Sequence, residues 1–436
     1  MTSRLQPLSN FGPWSCCRND WLGIAMLILQ LGCDNAATRT EPEPRADQVT
    51  ALQPATAAPS PAETTPAVDV ANVEVKNPSA AARSSETIAV ALADLNKLGV
   101  EAKQVIVVDA AGKPVLSQLV DNDGDDAFDE VIFQTDLSAH ESKRFAVRKG
   151  TRALAPRDAY KVYGRFVRER HDDFAWENDR FARRMYGVGL ESWAKEPLVS
   201  SGIDSWSKRT ARLVVNDWYL TDDYHHDNGE GADLYSVGKS RGCGGLGVWA
   251  GDALHTSRNF VKSRVFANGP IRLIFELEYP EWSVGAQKIS EVKRVTLDAG
   301  KSFERHENTF KVTPAQPPLQ IALGIAKHKD SQLATDTEKH WMRAWEPMAD
   351  GSHAGCAVVL PPPAAGEPKQ IESDYLLVTN LDASGQLRYY PGFGWDRGGS
   401  GAVNDSAAWD TRVQMLVREL GEPVSVTLAA AQAAKP

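Results

Sequence analysis

Hydrophobic and polar positions alternate almost one for one through residues 271–279, where Ile271, Leu273, Phe275, Leu277 and Tyr279 stand between Arg272, Ile274, Glu276 and Glu278. A period of two puts each class on its own face, so this stretch predicts a half-buried β-strand. Residues 291–297 and 302–312 continue the pattern across the turn Asp298-Ala299-Gly300-Lys301, which predicts a long antiparallel hairpin. In its second strand Arg305 and Glu307 share one face, and His306 and Asn308 share the other with Phe310 and Val312. Further strands are expected at residues 320–325, 340–345, 356–360, 375–380 and 423–428. A helical period stands out once, in Trp409, Val413, Leu416, Val417 and Leu420; Asp405 or Ser406 can cap that helix, Gly421 ends it and Pro423 follows.

Upstream, residues 87–92, 104–109, 113–119, 130–134 and 144–148 are short β-branched or apolar runs separated by turn residues, the signature of a small β-sandwich over residues 86–150. Residues 151–430 then form a large antiparallel β-sandwich, so the fold class is mainly β with few helices. Residues 34–85 are dominated by Ala, Pro, Thr, Glu and Ser with no sustained hydrophobic period, and are expected to be a disordered tether. Ahead of it, WLGIAMLILQLG (residues 21–32) is too short to span a bilayer but suits the apolar part of a secretory signal, with Arg4 and Arg18 before it. The run ends at Gly32-Cys33 and looks like a bacterial lipoprotein processing site. Residues 1–33 are therefore read as a signal with a lipidated Cys33, a periplasmic or cell-surface address, and a membrane contact through the lipid alone. Of the other cysteines, Cys243 and Cys356 remain in the mature chain, either paired or as buried thiols.

The formal net charge of -9 and the lack of clustered Lys and Arg argue against nucleic acid as a partner. No phosphate-loop lysine pattern supports a nucleotide, and no organic cofactor is expected. Within DNDGDDAFDE (residues 121–130), Asp121, Asp123, Asp125 and Glu130 are candidate Ca2+ ligands. The run resembles the short calcium loops of thrombospondin type 3 repeats, with Asp126 where a second glycine is common; the alternative is a solvated acidic hairpin.

Two stretches carry most of the candidate chemistry. In YHHDNGEG (residues 224–231), Tyr224, His225, His226, Asp227 and Glu230 offer acid and base groups beside turn-forming glycines. Adjacent histidines on a strand would face opposite ways, so a shared zinc is disfavoured. In HDDFAWENDR (residues 171–180), His171, Asp172, Asp173, Trp176, Glu177, Asp179 and Arg180 suit a sugar: an indole stacks on C–H groups, carboxylates accept from hydroxyls, and arginine clamps a carboxylate. Lys239 and Arg241, ahead of a glycine turn, add anion-binding groups, and Trp218 adds a stacking surface.

These two stretches, with VYGRF (162–166), SRGCGG (240–245), NFVKSRVFANGPIRLIFELEY (259–279) and SEVKRVTLDAGKSFERHENTF (290–310), resemble the bacterial family of the domain of unknown function 4861 over roughly residues 86–430. The resemblance implies a secreted protein encoded among polysaccharide-degrading genes. It also implies a long-hairpin region similar to the galactose-mutarotase-like supersandwich of carbohydrate-active enzymes. On the residues and the resemblance together, the leading expectation is a carbohydrate-active enzyme, a lyase acting by β-elimination on a uronate-containing glycan. His226 or His225 would be base, Tyr224 acid and Arg241 or Arg180 neutraliser. Alternatives are a glycoside hydrolase pairing Asp172 or Asp173 with Asp227 or Glu230, and a non-catalytic sugar-binding lipoprotein.

Overall fold

Alternating burial along paired strands sets the layers of this molecule. The computed structural model describes residues 69–431, apart from positions 196, 316 and 337. The expected signal, Cys33 and most of the tether lie outside the described residues.

The N-terminal sandwich packs a four-stranded sheet, in the order Ser425–Ala430, Asp69–Lys76, Ser142–Lys149, Val105–Asp109, on a three-stranded sheet, Arg83–Ala91, Glu130–Leu137, Ser117–Val120. Their inner faces bury Val73, Val75, Ile88, Val90, Phe133 and Val147. A short helix, α1 (Leu92–Lys97), adds Leu92 and Leu95 to that core. The tether expected over residues 34–85 is therefore too long at its C-terminal end, because Asp69–Lys76 is a central strand. Ala71, Val73 and Val75 alternate with exposed residues there, a short period-two signal that the surrounding Ala and Pro obscure. The last strand closes this sandwich from the far end of the chain, with Val426 opposite Val75 and Leu428 opposite Val73.

The larger part is built on an eight-stranded antiparallel sheet, in the order Lys262–Asn268, Arg272–Val284, Gln287–Asp298, Arg305–Thr313, Gln386–Trp395, His353–Val359, Trp341–Pro347, Gln332–Thr335. The expected hairpin is present, with Val295 opposite His306 and Arg294 opposite Glu307. His306, Asn308 and Phe310 are buried, as their shared face predicts. An inner five-stranded sheet runs Ala253–His255, Cys243–Ala250, Gln320–Ala326, Asp374–Asn380, Glu367–Gln370. Leu273, Phe275, Leu323, Ile325, Val358 and Leu377 belong to the core these sheets share. A disulfide joins Cys243 of the inner sheet to Cys356 of the eight-stranded sheet, with Cα atoms 5.4 Å apart. The fold is thus a small β-sandwich followed by a large antiparallel β-sandwich.

A middle sheet, Gly231–Ala232, Asp204–Lys208, Phe181–Met185, Asp173–Asn178, Val162–Val167, carries both candidate stretches. One helix, α2 (Val215–Thr221), buries Trp218 and Tyr219 beside it. The late helix, α3 (Ser406–Gly421), is capped by Asp405, whose carboxylate accepts from the Ala408 N–H at 2.8 Å. Its Trp409 is fully buried and stacks flat on Phe303 at 5.3 Å. Among the described residues no helix is long and apolar enough to cross a membrane.

Candidate functional site

The strand Phe181–Met185 is buried at every position although it contains Arg183 and Arg184. Such charges survive burial only when they are paired. Arg184 Nε donates to Asp204 Oδ2 at 2.7 Å and Nη2 to Asp233 Oδ2 at 3.0 Å. Its Nη1 donates to the Tyr224 hydroxyl at 3.3 Å and lies 3.8 Å from Asp173 Oδ2. Burial opposes the charge on Arg184, but Asp204 and Asp233 outweigh it and hold the group well above the ordinary arginine range. Trp206 stacks on Tyr224 at 5.1 Å and on Trp218 at 5.7 Å, which walls this cluster with aromatic rings. Burial raises the Tyr224 hydroxyl pKa more than Arg184 lowers it, so the hydroxyl stays protonated at neutral pH. Asp173 and Tyr224, from the two stretches the sequence singles out, therefore meet on one guanidinium.

Above this cluster, the two histidines differ. The His225 side chain is 64% exposed, yet its Nδ1 lies 3.4 Å from the buried Asp233 Oδ2 and 3.3 Å from the Asp233 carbonyl. Its ring also rests on Tyr224 at 4.6 Å. His226 is 83% exposed and is 3.5 Å from the exposed Asp223. The pair occupies a turn instead of a strand, but the two imidazoles still serve different directions. His225 is positioned, whereas His226 is a surface group beside a shallow hollow.

His171 and Asp172 both have positive φ, 52° and 69°, a region side chains other than glycine adopt at a cost of about 1–2 kcal/mol each. The double left-handed turn leaves His171 outside, stacked on Trp193 at 4.5 Å, and sends Asp173 inward to Arg184. Gly187 makes room for it, since a Cβ there would lie 1.7 Å from the Asp172 carbonyl oxygen. The Arg170 guanidinium lies 4.6 Å from the Trp193 ring centroid, and Lys195 lies over the same ring.

Several expected binding groups are structural. Trp176 is fully buried and donates to Glu304 Oε2 at 2.6 Å, so its indole cannot stack on a sugar. Glu177 is also buried; it accepts from Lys208 Nζ at 2.6 Å and from the Val214 and Val215 N–H groups at the start of α2. Trp218 is on the buried face of α2, stacked on Trp206. Asp179 accepts from the Gly300 N–H at 2.6 Å, fixing the hairpin turn, and Arg180 points into a separate cleft with Ser400. Arg241 is buried, donating to Ser201 Oγ and the Leu246 carbonyl, while its N–H donates to Asp374; it cannot neutralise a substrate from there. Lys239 is exposed. Asp227 pairs with Arg209 and accepts from the Gly229 and Gly231 N–H groups, and Glu230 pairs with Arg212. With Asp173 also occupied, three of the four carboxylates expected of a hydrolase are already engaged, which leaves Asp172.

The acidic loop gathers a different set from the expected one. Oxygens of Asp121, Asp123 and Asp129 lie within 4.8 Å of one another. Glu130 instead pairs with Arg272 at 3.2 Å, and Asp125 accepts from the Ala127 N–H at 2.8 Å. Arg264 and Arg294 bind the Gly124 and Asn122 carbonyls, oxygens a calcium loop would otherwise offer. Three carboxylates can face a cation there, but the loop is held by arginines.

Arg184, Asp204, Asp233, Arg170 and Trp193 were outside the sequence reading. The available signal was the pair of arginines in FARRM, a strand otherwise fit for a core.

A family described as "Domain of unknown function (DUF4861)" matches residues 75–426. A protein from Formosa agariphila, described as "Uncharacterized protein P7", is 30% identical over 378 residues, covering 82% of this chain and 93% of its own length. Among solved structures, a glycosyl hydrolase family 38 protein from Enterococcus faecalis aligns with a TM-score of 0.48 at 10% identity over 85% of this chain. An alpha-mannosidase from Enterococcus faecalis V583 aligns with a TM-score of 0.47 at 10% identity over 85% of this chain. The chain spans about half the length of each, 49% and 48%.

Proposed function

The chain belongs to the DUF4861 family, and from that premise and the geometry of the middle sheet we propose that it is a carbohydrate-active lyase that cleaves a uronate-containing glycan by β-elimination. The observation that carries this reading is the exposed His225 imidazole braced at Nδ1 by the buried carboxylate of Asp233. A carboxylate behind one ring nitrogen orients the other toward solvent and stabilises the imidazolium, which makes a general base.

In this mechanism His225 Nε2 takes the proton from sugar C5, the C4–O bond breaks as the C4=C5 double bond forms, and the leaving oxygen receives a proton from solvent. Tyr224, expected as the acid, is buried with its hydroxyl on Arg184, so its part is to support the His225 ring that rests on it. Arg170, buried over Trp193 and within electrostatic reach of Tyr224, adds positive potential behind this face, which favours the enolate-like intermediate. Trp193 and His171 offer the partly exposed stacked surface against which a sugar ring rests. The hydrolase reading is weaker because Asp173, Asp227 and Glu230 are each held by arginine.

The disulfide supports residence in an oxidising compartment, and with it the proposal of an exported, lipid-tethered protein. The reaction is tested by incubating the protein with acidic and neutral glycans while following both ultraviolet absorbance of the unsaturated product and new reducing ends. Absorbance and reducing ends rising together on acidic glycans is the expected result. Reducing ends without absorbance would replace the lyase by a hydrolase, and binding without either product would leave a sugar-binding protein.

A further inference from the structure

Away from His225, at the opposite end of the hairpin that carries Arg184, a cleft of about 690 Å3 opens between α3, the turn after Asp298 and the strand Arg83–Ala91. Several cations line it, and most are neutralised in place. Arg272 is 2.7 Å from Asp298, Lys301 is 3.3 Å from Glu86, and Arg305 is 3.3 Å from Glu307.

Arg412 is different. Its guanidinium donates only to neutral oxygens: Nη1 to Ser302 Oγ and the Gly401 carbonyl, both at 3.0 Å, and Nη2 to the Ala402 carbonyl at 3.5 Å. Among the described residues no carboxylate pairs with it, and the charge acting on it is the like charge of Arg180. Arg180 in turn donates to Ser400 Oγ at 3.2 Å, and its nearest carboxylate, Asp179, is 3.9 Å away and already accepts from Gly300. Gly401 permits this placement, since a Cβ there would lie 2.8 Å from Arg180 Cδ. Two like charges brought together from a β-turn and a helix, at the wall of a cleft, are unfavourable until an anion joins them. Phe303, stacked on Trp409 by one face, and Tyr390 line the same space beside Ser302 and Ser400, so aromatic carbon lies next to hydroxyls.

We infer that this cleft is a second ligand site, in which Arg180 and Arg412 together grip an oxyanion carried on a sugar ring, with the ring against Phe303 and Tyr390. Carboxylate and sulfate present the same paired oxygens to a guanidinium, so both uronate and sulfated sugars fit this chemistry. The site needs neither His225 nor Asp233, and so stands apart from the proposed reaction.

The test is calorimetric titration with a glucuronate-containing oligosaccharide, a sulfated oligosaccharide, inorganic sulfate and a neutral oligosaccharide. The two anionic sugars are separate arms that tell carboxylate from sulfate. Binding by at least one of them, weaker binding by sulfate alone and none by the neutral sugar are expected. Arg412→Gln and Arg180→Gln, on different elements and checked for folding by near-ultraviolet circular dichroism, should each weaken that binding roughly tenfold or more. Lys262→Gln, which alters an exposed lysine paired with Glu278 away from the cleft, and His225→Ala should leave it unchanged. The inference is overturned if no anionic sugar binds, if the neutral sugar binds equally well, or if folded Arg412→Gln and Arg180→Gln both retain full affinity.

Discussion

Asp233 Oδ2 lies 3.4 Å from the exposed His225 Nδ1 while accepting from the buried Arg184 Nη2 at 3.0 Å. One carboxylate thereby couples a solvent-facing imidazole to the polar core of the middle sheet. Replacing Asp233 by Asn keeps the shape and removes the charge that stabilises an imidazolium. The expected result is a fall in kcat of about tenfold or more with KM little changed, because the carboxylate acts on the transition state through His225. Steady-state kinetics on an acidic glycan check it, and an unchanged kcat would remove Asp233 from the mechanism.

Arg184→Met fills similar space but leaves Asp204, Asp233 and Asp173 close together without their shared cation. Breaking a buried ion network from one side costs about 3–5 kcal/mol. Denaturant unfolding should show that loss, whereas Arg388→Met, at an exposed arginine, should change stability by less than about 1 kcal/mol.

The difference between Arg184 and the residues first singled out shows what was legible. The strand Arg272–Val284 and its partner announce themselves because one face is core and the other is wet, which writes a period of two into the sequence. The strand Asp173–Asn178 is buried on both faces, so Trp176 and Glu177 look like a recognition motif while packing against Glu304 and Lys208. Burial of paired charges leaves no periodic trace; it depends on partners as distant as Trp176 and Glu304, 128 residues apart. Helix α2 was missed for a related reason, since its start is capped by Glu177 from another strand and not by its own N-terminal residues. The joining of HDDFAWENDR to YHHDNGEG was legible as chemistry, but not the guanidinium that joins them.

The Cys243–Cys356 bond closes a loop across 113 residues and ties two sheets together. Reducing it, or replacing both cysteines by Ala, should cost about 2–5 kcal/mol. Thermal unfolding with and without reductant measures this, and an identical midpoint in both would mean that the sheets are held by the core alone.

Acid should weaken the protein through His306. Burial, which outweighs the favourable Glu304 contact at 2.7 Å, lowers its pKa from 6.5 to about 4. The folded state keeps this imidazole neutral while the unfolded chain takes up the proton. Its share of stability is therefore complete above pH 6.5 and is lost as pH falls toward 4. The loss is on the order of 3 kcal/mol for this group. Unfolding midpoints across that window should fall with acid, and His306→Gln should flatten the dependence; an unchanged pH dependence in the variant would assign the acid sensitivity elsewhere.

The most direct test of the proposed reaction compares wild-type protein with His225→Ala on a uronate-containing glycan, following formation of the C4=C5 product by its ultraviolet absorbance. His225 is exposed, so the variant should fold normally. Loss of a general base predicts a rate reduced by about 100-fold or more, with His226→Ala close to wild type. Product formation by His225→Ala at the wild-type rate would contradict the account.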